Sequence, residues 1–172
     1  RGVAIRMKTS ISRKITDPRF KIFHDLMPYK VKNILLISRQ YDAWIMEEDC
    51  RLSEKIVSEY RGLNLIDPPR LHWVSNTQEV LEVLEQQSFD QVIIIARDTD
   101  TDSEKIAATI KAAHPSIPVA LMVHQVALDR ELFTYQIKKS EIDSTFLWTG
   151  NTDVVFALIK STEDWMNADE DT

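Results

Sequence analysis

The stretch "FDQVIIIARDTDTDSEKIAATIK", Phe89 to Lys111, decides how this chain is read. Its opening, "DQVIIIA" (Asp90–Ala96), is apolar on both faces, as a central parallel strand must be. "SEKIAATIKAAH" then reads as a helix, so the chain passes from a buried strand through "RDTDTDS" into a helix. That loop sets Asp98, Asp100 and Asp102 at alternate positions, and three chemistries fit such a pattern. A calcium loop would open D-x-D-x-D, but its sixth residue here is Ser103 instead of Gly and its twelfth is Thr109 instead of a bidentate Glu. A phosphate acceptor at Asp98 would lie two residues past the strand, with no acidic pair opposite it. An acidic capping turn needs only Asp102 or Ser103 at the helix N-terminus, where negative charge is favoured. The capping turn is the preferred reading.

Outward from this stretch the same unit repeats. "VKNILLIS" (Val31–Ser38), "RLHWVS" (Arg70–Ser75), "PVALMV" (Pro118–Val123) and "STFLWT" (Ser144–Thr149) have strand length and composition. Between them lie "YDAWIMEEDCRLSEKIVSEY", read as one amphipathic helix, then "TQEVLEVLEQQ" and "LDRELFTYQIKKS". "TDVVFALIKSTEDWMN" closes the chain as a further helix. A short helix from about Pro18 to Leu26 is expected before the first strand, capped by Thr16 or Asp17. Strands that alternate with helices pair in parallel through right-handed crossovers. The expected fold is α/β, a three-layer, doubly wound, five-stranded parallel sheet of order 2-1-3-4-5. Its functional edge is at the strands' carboxyl ends.

Composition narrows the function. The 172 residues suit one domain, and 44% are hydrophobic, enough for a sizeable core. The net charge of −6 makes a general nucleic-acid binder a poor fit, since phosphate neutralisation needs concentrated Lys and Arg. Arg6, Lys8, Arg13 and Lys14 read as a solvated arm. No apolar run approaches the ~18 residues needed to span a bilayer. The single cysteine, Cys50, cannot close an internal disulfide, and no signal-peptide pattern is present, which fits a reducing cytoplasm. Cys50 is expected inside its helix as a small core residue. His24, His72 and His114 are scattered, so no metal-ligand spacing emerges. The Arg-Gly start and acidic end suggest a piece of a longer protein.

The phrase "FD" before an apolar strand and "HPSIPV" leading into the fourth strand resemble the receiver domain of two-component response regulators. The resemblance runs from Lys32 to about Asn167, and it implies a flavodoxin-like fold. It also implies five functional positions, and each has been replaced here. The acidic pair after strand one reads Ser38-Arg39. The phosphoaccepting position ending strand three falls on Ile95. The hydroxyl position ending strand four is Val123, followed by His124, and the lysine position ending strand five is Trp148. Phosphoryl transfer to a carboxylate needs a nucleophile, a metal to screen charge and a cation for the product oxygens. Ile95 cannot attack, and Arg39 cannot bind Mg²⁺. The resemblance therefore implies a degenerate pseudo-receiver with no metal or cofactor.

A narrower resemblance lies in "ILLISRQYDAWIMEEDCRLSEKI", which is similar to the amino-terminal segment of proteins related to phosphoenolpyruvate synthase and pyruvate, phosphate dikinase. It implies a regulatory or docking module whose partners are other domains of the same polypeptide. No glycine-rich nucleotide loop or phosphohistidine motif occurs here, so no catalytic residue is implied for this chain. The expected organisation is an extension over 1–30, a receiver-like domain over 31–167 and an acidic linker over 168–172.

Two further expectations concern the surface. Arg39 and His124 beside Asp98 form a candidate anion site, the basis of an alternative reading as a sensory domain for a small anionic ligand. Tyr41 and Trp44 either cover the former acid pocket or present a partner surface, and Asp42 is placed to cap their helix. In receivers the face built from the fourth helix, fifth strand and last helix transmits the signal. By that resemblance Phe133, Tyr135, Trp148 and Trp165 are interface candidates, and a homodimer is an open alternative.

Overall fold

The structure, a computed structural model, describes residues 29–63, 65, 67–96, 101–124, 142–148 and 153–170. The side chains of 101, 102, 124, 169 and 170 are excepted. Five strands form one parallel sheet: β1 (Asn33–Ile37), β2 (Arg70–Val74), β3 (Gln91–Ala96), β4 (Val119–His124) and β5 (Ser144–Trp148). Their order is β2-β1-β3-β4-β5, as expected from the alternation of strands and helices. The ladder runs through Ile34↔Leu71, Ile34↔Gln91, Ile93↔Ala120 and Met122↔Phe146, so β3 lies at the centre, buried along its whole length.

The helices are α1 (Gln40–Trp44), α2 (Leu52–Gly62), α3 (Thr77–Gln86), α4 (Thr101–Ala113) and α5 (Asp153–Glu170). Two cores follow from the period-2 alternation of β1, β3 and β4. On one face Leu36, Ile93 and Met122 meet Met46, Leu52 and Ile56, with Val155 and Leu158 of α5. On the other, Leu35, Ile94 and Leu121 meet Val80 and Leu84 of α3, with Ala107 and Ile110 of α4. The expected helices over 18–26 and 128–140 lie outside the described residues.

Several local expectations are corrected. The segment from Tyr41 to Tyr60 is not one helix. After α1 the chain widens into a π turn (Ile45–Asp49), in which the Cys50 N–H donates to Ile45 O (3.0 Å). Arg51 then adopts a left-handed conformation, φ 50° and ψ 48°, before α2 begins. Cys50 therefore sits half-buried at the break and not within a helix core. Asp42 does not cap α1. The cap position is Arg39, in extended conformation, and Asp42 is buried in the first turn with 1% exposure. Helix α4 runs from Thr101, which puts Asp102 and Ser103 inside its first turn and not at its cap. Finally, α5 continues to Glu170, since "NADE" holds neither glycine nor proline to stop it.

Candidate functional site

At the carboxyl edge, β1 hands over to α1 through Ser38 and Arg39. The Ser38 N–H donates to Val74 O (3.1 Å), carrying the sheet one residue further, and Ser38 Oγ donates to Arg39 O (3.0 Å). The same Arg39 carbonyl accepts from Asp42 and Ala43, each at 3.1 Å, and so starts α1. The Arg39 side chain is exposed. In the ladder, Ile37 stands opposite Ile94, Ala96 opposite Val123 and His124 opposite Trp148, which aligns the strand ends of the five receiver positions.

Their side chains have gone inward. Ile95 and Trp148 (6% and 3% exposed) belong to the core under α2 and α5, and Val123 (1%) belongs to the opposite core. Ser38 is buried as well. Ser38, Ile95, Val123 and Trp148 thus offer neither a carboxylate nor a cation. The nearest acid in sequence to Ser38 among the described residues is the buried Asp42, the residue expected to cap α1. Among the described residues, no group of three or more His, Cys, Asp or Glu side chains is gathered to hold a metal ion. Asp98, Thr149, Phe133 and Tyr135 fall outside the described residues, as does the His124 side chain. The expected meeting of Arg39, Asp98 and His124 therefore also lies outside them.

Beside this edge, Glu47 of the π turn has a structural task. It accepts from the Ser53 N–H (3.4 Å), from Ser53 Oγ (2.7 Å) and from the Trp73 indole Nε1 (2.9 Å). Arg51, at the α2 cap position, makes no side-chain cap bond, so Glu47 supplies the cap from outside the helix. Tyr41 (61%) and Trp44 (55%) stand out from α1 into solvent.

The opposite, amino edge is fastened by carboxylates that sequence reasoning missed. Asp90, just before β3, accepts from the Lys32 and Asn33 N–H groups (2.8 and 2.9 Å). Asp143, just before β5, accepts from the Val119 N–H (2.7 Å) and pairs with Lys111 Nζ at 2.6 Å. Glu163 of α5, 2% exposed, accepts from the Val31 N–H (2.9 Å). One turn on, Asn167 brackets Tyr29: Oδ1 accepts from its N–H (3.0 Å) and Nδ2 donates to its carbonyl (3.1 Å). The Tyr29 hydroxyl donates to Asp90 O (2.8 Å). Burial, then the charges of Asp90 and Glu163, push the Tyr29 phenol up to about 12. Tyr60 is raised too, by burial first and then by Glu163. A buried phenol loses the hydration of its anion, and neighbouring negative charge adds to the cost. The "FD" phrase marked Asp90, but nothing local marks Glu163, whose partner is 132 residues away.

Solved structures share this architecture. The signal receiver domain of an HD domain-containing protein from Pseudomonas fluorescens Pf-5 superposes with TM-score 0.58 at 18% identity, over 83% of this chain and 94% of that one. A CheY-like response regulator receiver domain protein from Methanospirillum hungatei JF-1 gives 0.56 at 14% identity, over 81% and 99%. The response regulator TrrA from Thermotoga maritima, in complex with Mg²⁺ and BeF, gives 0.51 at 14% identity, over 76% and 98%. Neither the comparison with protein families nor that with curated proteins gives a match. The chain has the flavodoxin-like fold of receiver domains.

Proposed function

We propose that this chain is a receiver-like regulatory domain that does not accept phosphate and acts by docking. The carrying observation is the chemistry of the strand ends: the position expected for the nucleophile is Ile95 and that for the cation is Trp148, both inside the apolar core. An acyl phosphate at this edge would lack a nucleophile and a counter-charge among those positions. In this reading the chain is no enzyme. It is the amino-terminal module of a phosphoenolpyruvate synthase-like protein, with the receiver-like domain over 31–167 between an extension and an acidic linker. Its partners are other domains of that polypeptide. The likeness of "ILLISRQYDAWIMEEDCRLSEKI" to that group supports the assignment, and the exposed Tyr41 and Trp44 support a docking role.

The test is incubation with Mg²⁺ and a small acyl-phosphate donor, followed by intact mass measurement, with Asp98→Asn run in parallel. No added phosphoryl group is expected. Phosphate that appears on the wild type and vanishes with Asp98→Asn would overturn the reading and make "RDTDTDS" the switch.

A further inference from the structure

The segment from Tyr41 to Tyr60 carries a row that a continuous helix would turn toward the sheet. At steps of four, three, four, three and four it reads Asp42, Met46, Asp49, Ser53, Ile56 and Tyr60. In the structure Asp42, Met46, Ile56 and Tyr60 are buried as that row requires. Asp49 is exposed instead, and Leu52 is fully buried. Met46 and Leu52, six positions apart, would lie about 120° apart around an unbroken α-helix, so the break is what lets both enter one core. It also keeps an aspartate out of the middle of an apolar face, where an unpaired charge is costly.

The bonds at the break have alternatives in the unbroken helix. The Ser53 N–H donates to the Glu47 carboxylate at 3.4 Å, whereas a continuous helix would pair it with the Asp49 carbonyl, four residues back. The Cys50 N–H donates to Ile45 O, five residues back, where an α-helix would use Met46 O. Each donor thus has two acceptors within reach of a local change. Arg51, at φ 50° and ψ 48°, stands in a left-handed conformation that is costly for a non-glycine residue and that the unbroken helix would release. Glu47 opposes that release, because Ser53 Oγ (2.7 Å) and the Trp73 indole Nε1 (2.9 Å) also donate to it and tie it to α2 and β2.

We propose that this joint is a two-state device, broken at rest and able to close into one helix running from α1 through α2. Asp49 holds it open by its charge, and Glu47 latches it by occupying the Ser53 N–H. Closing would carry residue 49 into the apolar row in place of Leu52 and turn α1 with respect to α2. Tyr41 and Trp44 ride on α1 and Val57 on α2, so the joint sets how these exposed side chains stand relative to one another, whether or not they dock a partner.

NMR of the full chain tests it, comparing wild type with Asp49→Leu and Glu47→Ala. The wild type is expected to show the left-handed signature at Arg51. In Asp49→Leu, helix-type contacts are expected between Glu48 and Arg51 and between Cys50 and Ser53, with amide exchange at Ser53 slowed on the order of ten-fold or more. Glu47→Ala, which removes the latch and keeps Asp49, is expected to shift Arg51 part of the way. The amides of Val92–Ile95 in the central strand report folding. Should they lose protection in Asp49→Leu, Asp49→Ala takes its place and is read in the same way. An Arg51 that stays fully left-handed in either variant would overturn the inference, since the break would then be fixed by core packing alone. A helical Arg51 in the wild type would overturn it equally, because the joint would rest closed.

Discussion

Gln91 opens the central strand with a fully buried carboxamide. Its Cα stands opposite Ile34 of β1, and its side chain lies on the face of Ile93 and Ile95. Neither its Nε2 nor its Oε1 has a hydrogen-bond partner among the described residues, and its exposure is 0%. A buried polar group left unpaired costs about 1–3 kcal/mol, whereas an apolar group of the same shape does not incur that cost. Methionine matches the length and flexibility of glutamine, so Gln91→Met removes the desolvation penalty without opening a cavity. The expected gain is about 1–3 kcal/mol, or a rise of roughly 2–10 °C in Tm for a chain of this size. Urea unfolding followed by circular dichroism measures it, and the denaturant slope should stay constant so that the midpoint alone moves. Gln91→Ala serves as the control, expected to lose stability because it leaves a cavity of about four heavy atoms. If Gln91→Met destabilises the protein by about 1 kcal/mol or more, the reasoning fails, and the amide must be held by an internal water.

Three other outcomes follow from the same geometry. Glu47→Ala removes the external cap of α2 and the partner of the Trp73 indole, and should cost about 1–3 kcal/mol in urea unfolding; Glu47→Gln should recover part of it. Asp143→Ala frees the Val119 N–H and leaves Lys111 (14% exposed) without its carboxylate, for an expected loss of about 1–3 kcal/mol, reduced at high salt only in its ionic part. Alkaline pH should destabilise the fold. Tyr29 and Tyr60 have raised folded values, so their contribution is complete below the ordinary phenol pKa of about 10 and is lost as pH rises toward the folded values, near 12 for Tyr29. Tyrosinate absorbance should therefore appear late in the native protein, and Tyr29→Phe should make stability less steeply dependent on pH in that window.

The strands were legible because burial on both faces leaves an uninterrupted apolar run, as in Val92–Ala96, too short for a buried helix and bounded by polar residues. Asn76, not singled out in the sequence, caps α3: its Oδ1 accepts from the Gln78 N–H at 2.7 Å. The break at Arg51 was not legible. A left-handed residue is usually announced by glycine or asparagine, and an arginine there gives no sign. The periodicity from Ile45 to Tyr60 survives a π turn and a kink almost unchanged, so it predicts which residues are buried better than where the helix runs. Glu163 was hidden by distance. A carboxylate within an apolar stripe reads as a flaw in the pattern until the Val31 N–H, remote in sequence, is seen opposite it.

The distribution of polar groups between the two edges bears on the proposed function. A carboxylate fixed by backbone N–H groups is held by bonds that its ionised form strengthens, and is ill suited to exchange partners. Asp90, Asp143 and Glu163 are all of this kind, and all sit at the amino edge. At the carboxyl edge the expected acid and cation positions, Ile95 and Trp148, are inside the core, where exchange with a solvent phosphate would require repacking. Among the described residues, the carboxylates of the amino edge are thus fixed and the replaced positions of the carboxyl edge are buried. The large exposed hydrophobic side chains among the described residues, Tyr41, Trp44, Val57 and Trp165, all belong to the helices α1, α2 and α5. Substituting Tyr41 and Trp44 together by serine should leave stability within about 0.5 kcal/mol, as exposed positions do, while weakening the docking proposed above. Loss of stability well beyond that, with docking intact, would mean that the two aromatics belong to the fold and that the partner surface lies elsewhere.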